Sequence, residues 1–387
     1  MQGVEYMKKE KQAKSKVWLK TVIPALIGAI IGGLGGFFGV QYLDKNSISD
    51  IEFVIIVAGS ILAIYLQLIL HEAGHLIFGL LSGYEFVSFR VGSITIYKKD
   101  GKTHIGSYKL AGTGGQCLMA PPDLANEKIP YVLFNFGGVI INIVTSIVIV
   151  VVLVTMEVQP VLKAILFVFI AMGVFAALTN GIPLHISGID NDGYNAVSLG
   201  KNSDALRAFW LQLKVNEMLT EGIRLKDMPE EWFEKPSEEG MQNNMIAALE
   251  AIRCNRLLDM HCFEEVNQSV QAVVDSENKM VGVQKVLLQI DQIFCEILGE
   301  KREEVIGRVR EKELKSFMKA MKNFPSVIRT QYAYALLVKE DVKESAAIKR
   351  QFEKVMKKHP YQSEIESEWE LIRLCEAKKN DEQENTK

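Results

Sequence analysis

Long apolar runs dominate the first half of the chain, and apolar positions at helical spacing among charged residues characterise the second half. The apolar runs cover about residues 17–43, 51–81, 131–156 and 161–185 of the 387. Each is long enough to cross the hydrocarbon core of a bilayer as an α-helix, which takes roughly 20 residues. The pattern predicts a polytopic α-helical membrane domain (17–199), preceded by a basic tail (1–16) and followed by an all-α domain (200–387).

Basic residues predict the orientation of these spans. The N-terminal segment carries Lys8, Lys9, Lys11, Lys14, Lys16 and Lys20. Because cytoplasmic segments are enriched in lysine and arginine, we expect the N-terminus, the connection 84–130 and the C-terminal domain to be cytoplasmic. The first run is longer than the core of a signal peptide and lacks a small-residue cleavage site. It is therefore interpreted as a retained first transmembrane helix.

The connection between the second and third runs, 84–123, contains strand and loop signals. Residues 84–110 carry β-branched and aromatic residues on both sides of Asp100-Gly101, which is typical of a β-hairpin. Residues 111–123 are rich first in glycine and then in proline, so we expect neither regular helix nor strand there. Irregular backbone near membrane depth needs polar partners. We expect this loop to dip toward the second span, with a surface linker as the alternative.

Two histidines and a glutamate lie inside the second apolar run, as His71-Glu72-Ala73-Gly74-His75. Residues four apart share one face of a helix, so His71 and His75 can bind one Zn²⁺. Glu72 can then take a proton from water at the metal. An ionisable side chain within a membrane span costs about 2.5–3.5 kcal/mol and usually marks function. The motif therefore predicts a metalloprotease centre within the membrane.

A catalytic zinc site needs a third protein ligand beside an open position. We expect that ligand at the cytoplasmic end of another span, where a polar segment interrupted by glycine and proline follows the fourth run. Three side chains in this segment have suitable chemistry: His185, Asp190 and Asp192. The residue types alone leave the choice among them open.

Together these motifs resemble those of the site-2 protease family of intramembrane zinc metalloproteases. Its pattern matches His71-Glu72-x-x-His75, then Gly138 followed four residues later by Asn142, then Asn180-x-x-Pro183, then Asp192-Gly193. The resemblance covers about residues 51–199, and it implies His71, His75 and Asp192 as zinc ligands with Glu72 as the catalytic residue. Val139 stands where the family commonly has proline. The gap between Pro183 and the Asp-Gly pair is also long for the family, so Asp190 stays a rival ligand.

The predicted function is that of an intramembrane zinc endopeptidase in a bacterial cell membrane. Its substrate would be a membrane-embedded or membrane-associated protein or peptide, cleaved by water that the metal activates and Glu72 deprotonates. Asn142 and Asn180 are candidates for binding the substrate or its oxyanion. A hairpin strand is a candidate for pairing with the unwound substrate. The alternative is a non-enzymatic membrane scaffold with a vestigial zinc site.

The C-terminal half shows no second catalytic constellation. Three segments recur loosely with a period near forty residues: 256–266, 296–305 and 335–346. Helix pairs that resemble tetratricopeptide repeats would offer a groove to a cytoplasmic partner, and an irregular helical bundle is the alternative. The net charge of −3 gives no indication of a nucleic-acid partner. Five cysteines without CxxC spacing favour a reducing compartment.

Overall fold

The computed structural model of the protein describes residues 26, 28–30, 32–33, 35–37, 39–99, 101–107, 114–126, 128–186 and 189–384. The chain divides into two compact units. The first unit comprises residues 1–85, 114–117 and 130–201, and the second comprises residues 86–113, 118–129 and 202–387. The predicted boundary near residue 200 therefore lies close to a division between units. Most of the segment 84–123, assigned from sequence to the membrane domain, belongs to the second unit.

Three helices of the first unit are long and apolar enough to cross a membrane: α1 (Asp50–Leu81), α2 (Tyr131–Thr155) and α3 (Pro160–Gly181). No other helix in the described ranges meets that criterion. The predicted first span, 17–43, lies partly outside the described residues, and its described residues are helical. The predicted fourth span, 161–185, ends four residues early because Ile182, which precedes Pro183, is extended.

Glycines let α1 and α2 approach each other backbone to backbone. A Cβ added at Gly74 would lie 2.2 Å from the carbonyl oxygen of Gly137, and one added at Gly137 would lie 2.4 Å from that of Gly74. Small residues at helix crossings are the usual basis of helix association in lipid. This crossing sets the separation of the two helices in the middle of the His71–His75 motif.

After α3 the chain forms a two-residue hairpin, β5 (His185–Ile186) and β6 (Ile189–Asp190), and then the short helix α4 (Asp192–Ser198). These β-residues occupy the long gap between Pro183 and the Asp-Gly pair. The additional residues in this gap thus form a short hairpin, after which the chain returns to the end of α3.

A four-stranded sheet follows α1, in the order β3-β2-β1-β4. Its strands are β1 (Glu85–Val91), β2 (Ile94–Lys99), β3 (Lys102–Ser107) and β4 (Gly115–Ala120). The hairpin predicted at Asp100-Gly101 is present, and Lys99 pairs with Lys102 across it. The stretch before it, predicted as one strand, turns instead at Gly92, whose φ of 60° favours glycine.

Strand β4 corrects the prediction that residues 111–123 form no regular structure. Glycine lies at the beginning of that segment and Pro121-Pro122 at its end, but Gln116 to Met119 between them are compatible with a strand. They form the sheet edge beside β1. Residues 108–113 lie outside the described part of the chain.

The helices of the second unit are α5 (Ser203–Thr220), α6 (Asn244–Asp259), α7 (Phe263–Asp275), α8 (Gly282–Leu298), α9 (Glu303–Ile306), α10 (Lys312–Ala320), α11 (Pro325–Ala333), α12 (Val342–Met356) and α13 (Gln362–Glu384), with a π-helical turn at Tyr334–Val338. Their core is apolar and includes Ile290, Phe294 and Phe352, each with no exposed surface. Trp210 of α5 donates from Nε1 to the carbonyl of Pro122 at 2.9 Å, a contact between the segment 118–129 and the helices of the same unit.

The three recurring segments of this half share one local structure. In each, a helical segment ends, the sixth residue has a positive φ, and the next helix begins within three residues. The sixth residues are His261, Lys301 and Glu340, with φ of 61°, 61° and 56°. Because non-glycine residues seldom adopt this conformation, its recurrence at this spacing identifies a repeated helix–turn–helix junction. Resemblance to tetratricopeptide pairs remains a prediction.

Candidate metal centre

The α1 helix carries the two histidines and the glutamate on a buried face. His71, Glu72 and His75 are each 8% exposed, whereas many apolar side chains of the same helix are exposed. The two imidazoles lie one helical turn apart, and their Nε2 atoms are 3.3 Å from each other. The sequence expectation that both rings face one point therefore holds in the geometry.

Asp192 reaches the histidines because Asn191 fixes the start of α4 against the end of α3. The Asn191 side-chain Oδ1 accepts from the backbone N–H of Tyr194 at 2.9 Å, and its Nδ2 donates to the carbonyls of Thr179 and Ile182, both at 2.7 Å. The adjacent Gly193 permits this approach, since a Cβ there would lie 2.2 Å from the Gly181 carbonyl oxygen. A glycine is therefore required after Asp192 because a larger residue would collide with the end of α3.

Three ligand atoms form a triangle of the size that a tetrahedral zinc ion requires. Asp192 Oδ2 lies 3.2 Å from His71 Nε2 and 3.4 Å from His75 Nε2, and the two nitrogens are 3.3 Å apart. With zinc–nitrogen bonds of about 2.0–2.1 Å and tetrahedral angles, neighbouring ligand atoms lie roughly 3.3–3.4 Å apart. Among the described residues this is the one group of three such side chains that could hold a metal ion. The residues present therefore fit Zn²⁺.

Hydrogen bonds at the other ring nitrogens orient both imidazoles. His71 Nδ1 donates to Asn142 Oδ1 at 2.6 Å, and His75 Nδ1 donates to the carbonyl of Phe134 at 2.8 Å. A proton held on Nδ1 leaves the Nε2 lone pair for a metal. Each ring, when neutral, can therefore present Nε2 to a metal.

A glutamine one turn before His71 extends this network across the three apolar helices α1, α2 and α3. Asn142 donates from Nδ2 to Gln67 Oε1 at 2.6 Å and to the Gln67 carbonyl at 3.2 Å. Gln67 in turn donates to the carbonyl of Phe169 in α3 at 3.0 Å. Gly173 makes room for it, because a Cβ there would lie 2.6 Å from Gln67 Nε2. Sequence reasoning missed Gln67, although a glutamine four residues before His71 in an apolar run was a visible signal.

The carboxylate of Glu72 lies against the backbone of β4. A Cβ added at Gly115 would be 2.6 Å from Glu72 Oε1 and 2.7 Å from its Cγ. Cys117 lies nearby, and burial together with the charge of Glu72 raises the pKa of its thiol to about 12. The segment predicted to dip toward the second span therefore does reach the site, as an edge strand instead of a loop.

The remaining candidates are engaged in contacts other than the one that Asp192 makes with both imidazoles. Asp190 pairs with His185 across the β5–β6 hairpin, and neither belongs to the metal-sized group with His71 and His75. Asn142 uses its carbonyl on His71 and its amide on Gln67. Asn180 donates from Nδ2 to the carbonyl of Ala176 in its own helix at 3.0 Å. The geometry thus separates these side chains from the one that faces both imidazoles.

Burial and the two imidazoles act in opposite directions on Asp192. Burial by itself would raise the pKa of this carboxyl, but hydrogen bonds and charge from His71 and His75 outweigh it and hold the pKa below its usual range. The carboxylate is therefore ionised, which is the form that binds a metal.

The model of peptidase family M50, the site-2 protease family, matches residues 59–294, which is more than half of the chain. The chain belongs to peptidase family M50. The matched range includes the His71–His75 motif, the candidate third ligand and the first part of the helical second unit. No curated protein and no solved structure matches the chain significantly. Membership of M50, whose members are typically zinc-dependent, together with three apolar helices, indicates a membrane protein with intramembrane metalloprotease activity.

Proposed function

We propose that this M50 protein is an intramembrane zinc endopeptidase in which His71, His75 and Asp192 bind the metal and Glu72 is the general base. The observation that carries the proposal is the triangle of ligand atoms, with edges of 3.2–3.4 Å, beside a buried glutamate. Asp190 is set aside as a ligand because His185 holds it. The scaffold alternative gives no reason for Glu72 to be kept buried beside the histidines.

The chemistry divides between the metal and the chain. Bound Zn²⁺ would supply Lewis acidity toward water and the scissile carbonyl. Glu72 takes a proton from the attacking water and delivers it to the leaving amide nitrogen. Asn142 acts as a positioning residue that holds the His71 ring, in place of the oxyanion role first expected, because both ends of its amide are engaged. Asn180 remains the candidate for contact with the substrate.

Substrate binding is proposed at the free edge of β4. A helical substrate must unwind before its carbonyls can be attacked, and an extended segment can pair with the edge of a sheet. Strand β4 is an edge strand, and its Gly115 touches the Glu72 carboxylate. A peptide paired there would run past the proposed base. The substrate class is a membrane-embedded or membrane-associated protein or peptide.

The proposed location is a bacterial cell membrane, crossed several times, with both termini in the cytoplasm. The basis is the lysine-rich N-terminal segment and the positive-inside rule. The helical second unit would then be cytoplasmic and available to a protein or peptide partner.

The decisive experiment replaces the base and leaves the ligands in place. Glu72→Gln should keep its zinc and lose at least about 10²-fold in the cleavage rate of labelled transmembrane peptides. The matched control is Glu157→Gln, at an exposed position between α2 and α3, which should cleave like the wild type. Equal rates for Glu72→Gln and wild type, or no cleavage of any peptide by zinc-loaded wild type, would favour the scaffold.

Zinc content decides the third ligand. Asp192→Ala should lower the zinc bound per chain and activity together, because it removes one corner of the triangle. Asp190→Ala should retain zinc, since its carboxylate serves His185. Metal analysis of both purified variants tests this, and loss of zinc only in Asp190→Ala would move the ligand to that residue.

A further inference from the structure

The helical second unit contains a cavity that is separate from the proposed proteolytic centre. Its volume is about 340 Å³, and helices α5, α6, α8, α11 and α13 line it. Much of its wall is apolar, including Leu219, Ile252, Leu287 and Phe324. Pockets for small ligands typically start near 300 Å³ and combine apolar walls with a few polar groups. The size and lining therefore suit a small organic ligand.

A buried arginine between two carboxylates lines this cavity. Arg329 is 1% exposed, and it donates from Nη1 to Glu368 Oε1 at 2.6 Å and from Nη2 to Asp291 Oδ1. One positive charge thus faces two carboxylates, so ionisation of both leaves a net negative charge. A buried charge without compensation is costly. The cluster is balanced if a cation enters.

Three oxygen atoms around the same cavity lack a hydrogen bond. Glu368 Oε2, Ser326 Oγ and Gln284 Oε1 are buried, and none has a hydrogen-bond partner among the described residues. Ser326 as a whole is only 8% exposed. All three belong to residues that line the cavity, and all three can accept a hydrogen bond. A buried polar group without a partner costs about 1–3 kcal/mol, so such groups require a donor.

We propose that this cavity binds a primary ammonium group carried on an apolar body. An ammonium supplies N–H donors and one positive charge, which suits a cavity lined by acceptors without donors and by a cluster with one excess carboxylate. The apolar walls take the remainder of the ligand. A peptide amino terminus followed by an apolar side chain and a free alkylamine both have this chemistry. Binding of such a ligand is independent of proteolysis.

The carboxylate of Asp259, which also lines the cavity, offers no comparable vacancy. Asp259 accepts from Arg224 at 2.6 Å, from the Lys226 N–H at 3.1 Å and from Ser367. Arg224 also donates to Glu370 at 2.5 Å. The Asp259 carboxylate is thus supplied with donors on both oxygens. The ligand cation is assigned to the Glu368 end for this reason.

The titration of Glu368 is consistent with this assignment. Burial, together with the charges of Asp291 and Glu364, raises the pKa of Glu368 to about 7 against the lowering effect of Arg329; His359 also faces it. An ammonium ligand favours the ionised carboxyl, so affinity should increase as pH rises through 7. For an alkylamine, which stays protonated throughout this range, coupling to one such group predicts roughly tenfold weaker binding at pH 6 than at pH 8.

Calorimetry on the full chain in detergent tests the proposal with defined probes. Leucyl-leucinamide should bind, and its N-acetylated twin, which lacks the ammonium, should bind at least about tenfold more weakly. Hexylamine separates the two sources: binding equal to that of the dipeptide indicates a free amine, and weaker binding indicates a peptide terminus. Either result supports an ammonium site. Equal binding of the acetylated twin, or no binding of any probe at millimolar concentration, overturns it.

Substitutions in the cavity wall test whether the probes bind in this cavity. Glu368→Gln removes a buried charge and should weaken dipeptide binding at least about tenfold, as charge-assisted hydrogen bonds are the strong ones. The matched control is Glu366→Gln, two residues away on the exposed face of α13, which should bind like the wild type. Ala251→Leu fills the cavity without changing its charge and should block binding. The Glu72→Gln protein should bind unchanged; wild-type affinity in both Glu368→Gln and Ala251→Leu refutes the site.

Discussion

The first unit exposes many apolar side chains on its surface, whereas the second unit buries apolar side chains in its core. The long apolar helices of the first unit expose residues such as Leu62 and Val154 and bury Gln67 and Asn142. The second unit buries side chains such as Phe294 and carries its charges mainly outside. Each arrangement suits a different solvent, because lipid is as apolar as leucine and gives no hydrophobic drive for helices to associate. The first unit therefore packs by close backbone approach and by polar side chains.

This difference explains how the proposed active site is built. In the first unit the polar interior is the site itself: the Gln67–Asn142–His71 hydrogen bonds join α1, α2 and α3. In the second unit the buried Arg329 lies within an apolar core. The stability of the first unit thus depends on close contact between helix backbones, and the stability of the second unit depends on a core without voids. Substitutions that add or remove atoms should affect the two units in opposite ways.

The largest effect is expected where atoms are added to the helix crossing of the first unit. Gly137→Leu places side-chain atoms against the backbone of Gly74, which cannot rotate away. Overpacking commonly costs about 1–3 kcal/mol even where side chains can yield, so α1 and α2 must separate. We expect loss of both zinc and cleavage, measured on purified protein. Gly39→Leu is the control, as a Cβ there meets no described atom within 4 Å.

Removing atoms should damage the second unit instead. Phe294→Ala leaves a void in a core residue with no exposed surface, where Phe→Ala changes cost about 3–5 kcal/mol. The paired variant is Phe53→Ala in α1, where the ring is 48% exposed on an apolar helix, and it should cost less than about 1 kcal/mol. Denaturant unfolding of both variants in detergent measures this. Equal losses would contradict the opposite packing of the units.

Sequence patterns predicted the features that depend on local order. Run length predicted α1, α2 and α3, and helical spacing brought His71 and His75 onto one face. The loop expectation at 115–120 was wrong because glycine and proline on either side outweighed the few strand-compatible residues between them. Pairing with β1, a contact distant in sequence, decides that strand.

Details of the candidate centre depended on tertiary contacts that spacing cannot reveal. Asp190 and Asp192 differ by two residues, and only the β5–β6 hairpin turns one toward His185 and leaves the other to both imidazoles. Asn142 is held by a hydrogen bond to Gln67, which lies on another helix. Neither contact can be predicted from the spacing of residues in the sequence. The polar residues themselves can be recognised, because they lie in apolar segments.

The smallest effect is expected from the addition of one methyl group to β4, the strand beside the proposed base Glu72. Gly115→Ala places a Cβ 2.6 Å from Glu72 Oε1, and the three atoms nearest to that Cβ all belong to Glu72. The carboxylate must move, and a shift of about 1 Å in a reacting group can cost 10²-fold in rate. We expect wild-type zinc content with cleavage reduced about 10²-fold. Gly282→Ala, in the second unit and with no described atom within 4 Å of the added methyl, should cleave normally. Gly115→Ala therefore tests the placement of the base alone, whereas Gly137→Leu disturbs both the base and the metal site. Undiminished cleavage by Gly115→Ala would show that β4 does not fix the position of Glu72.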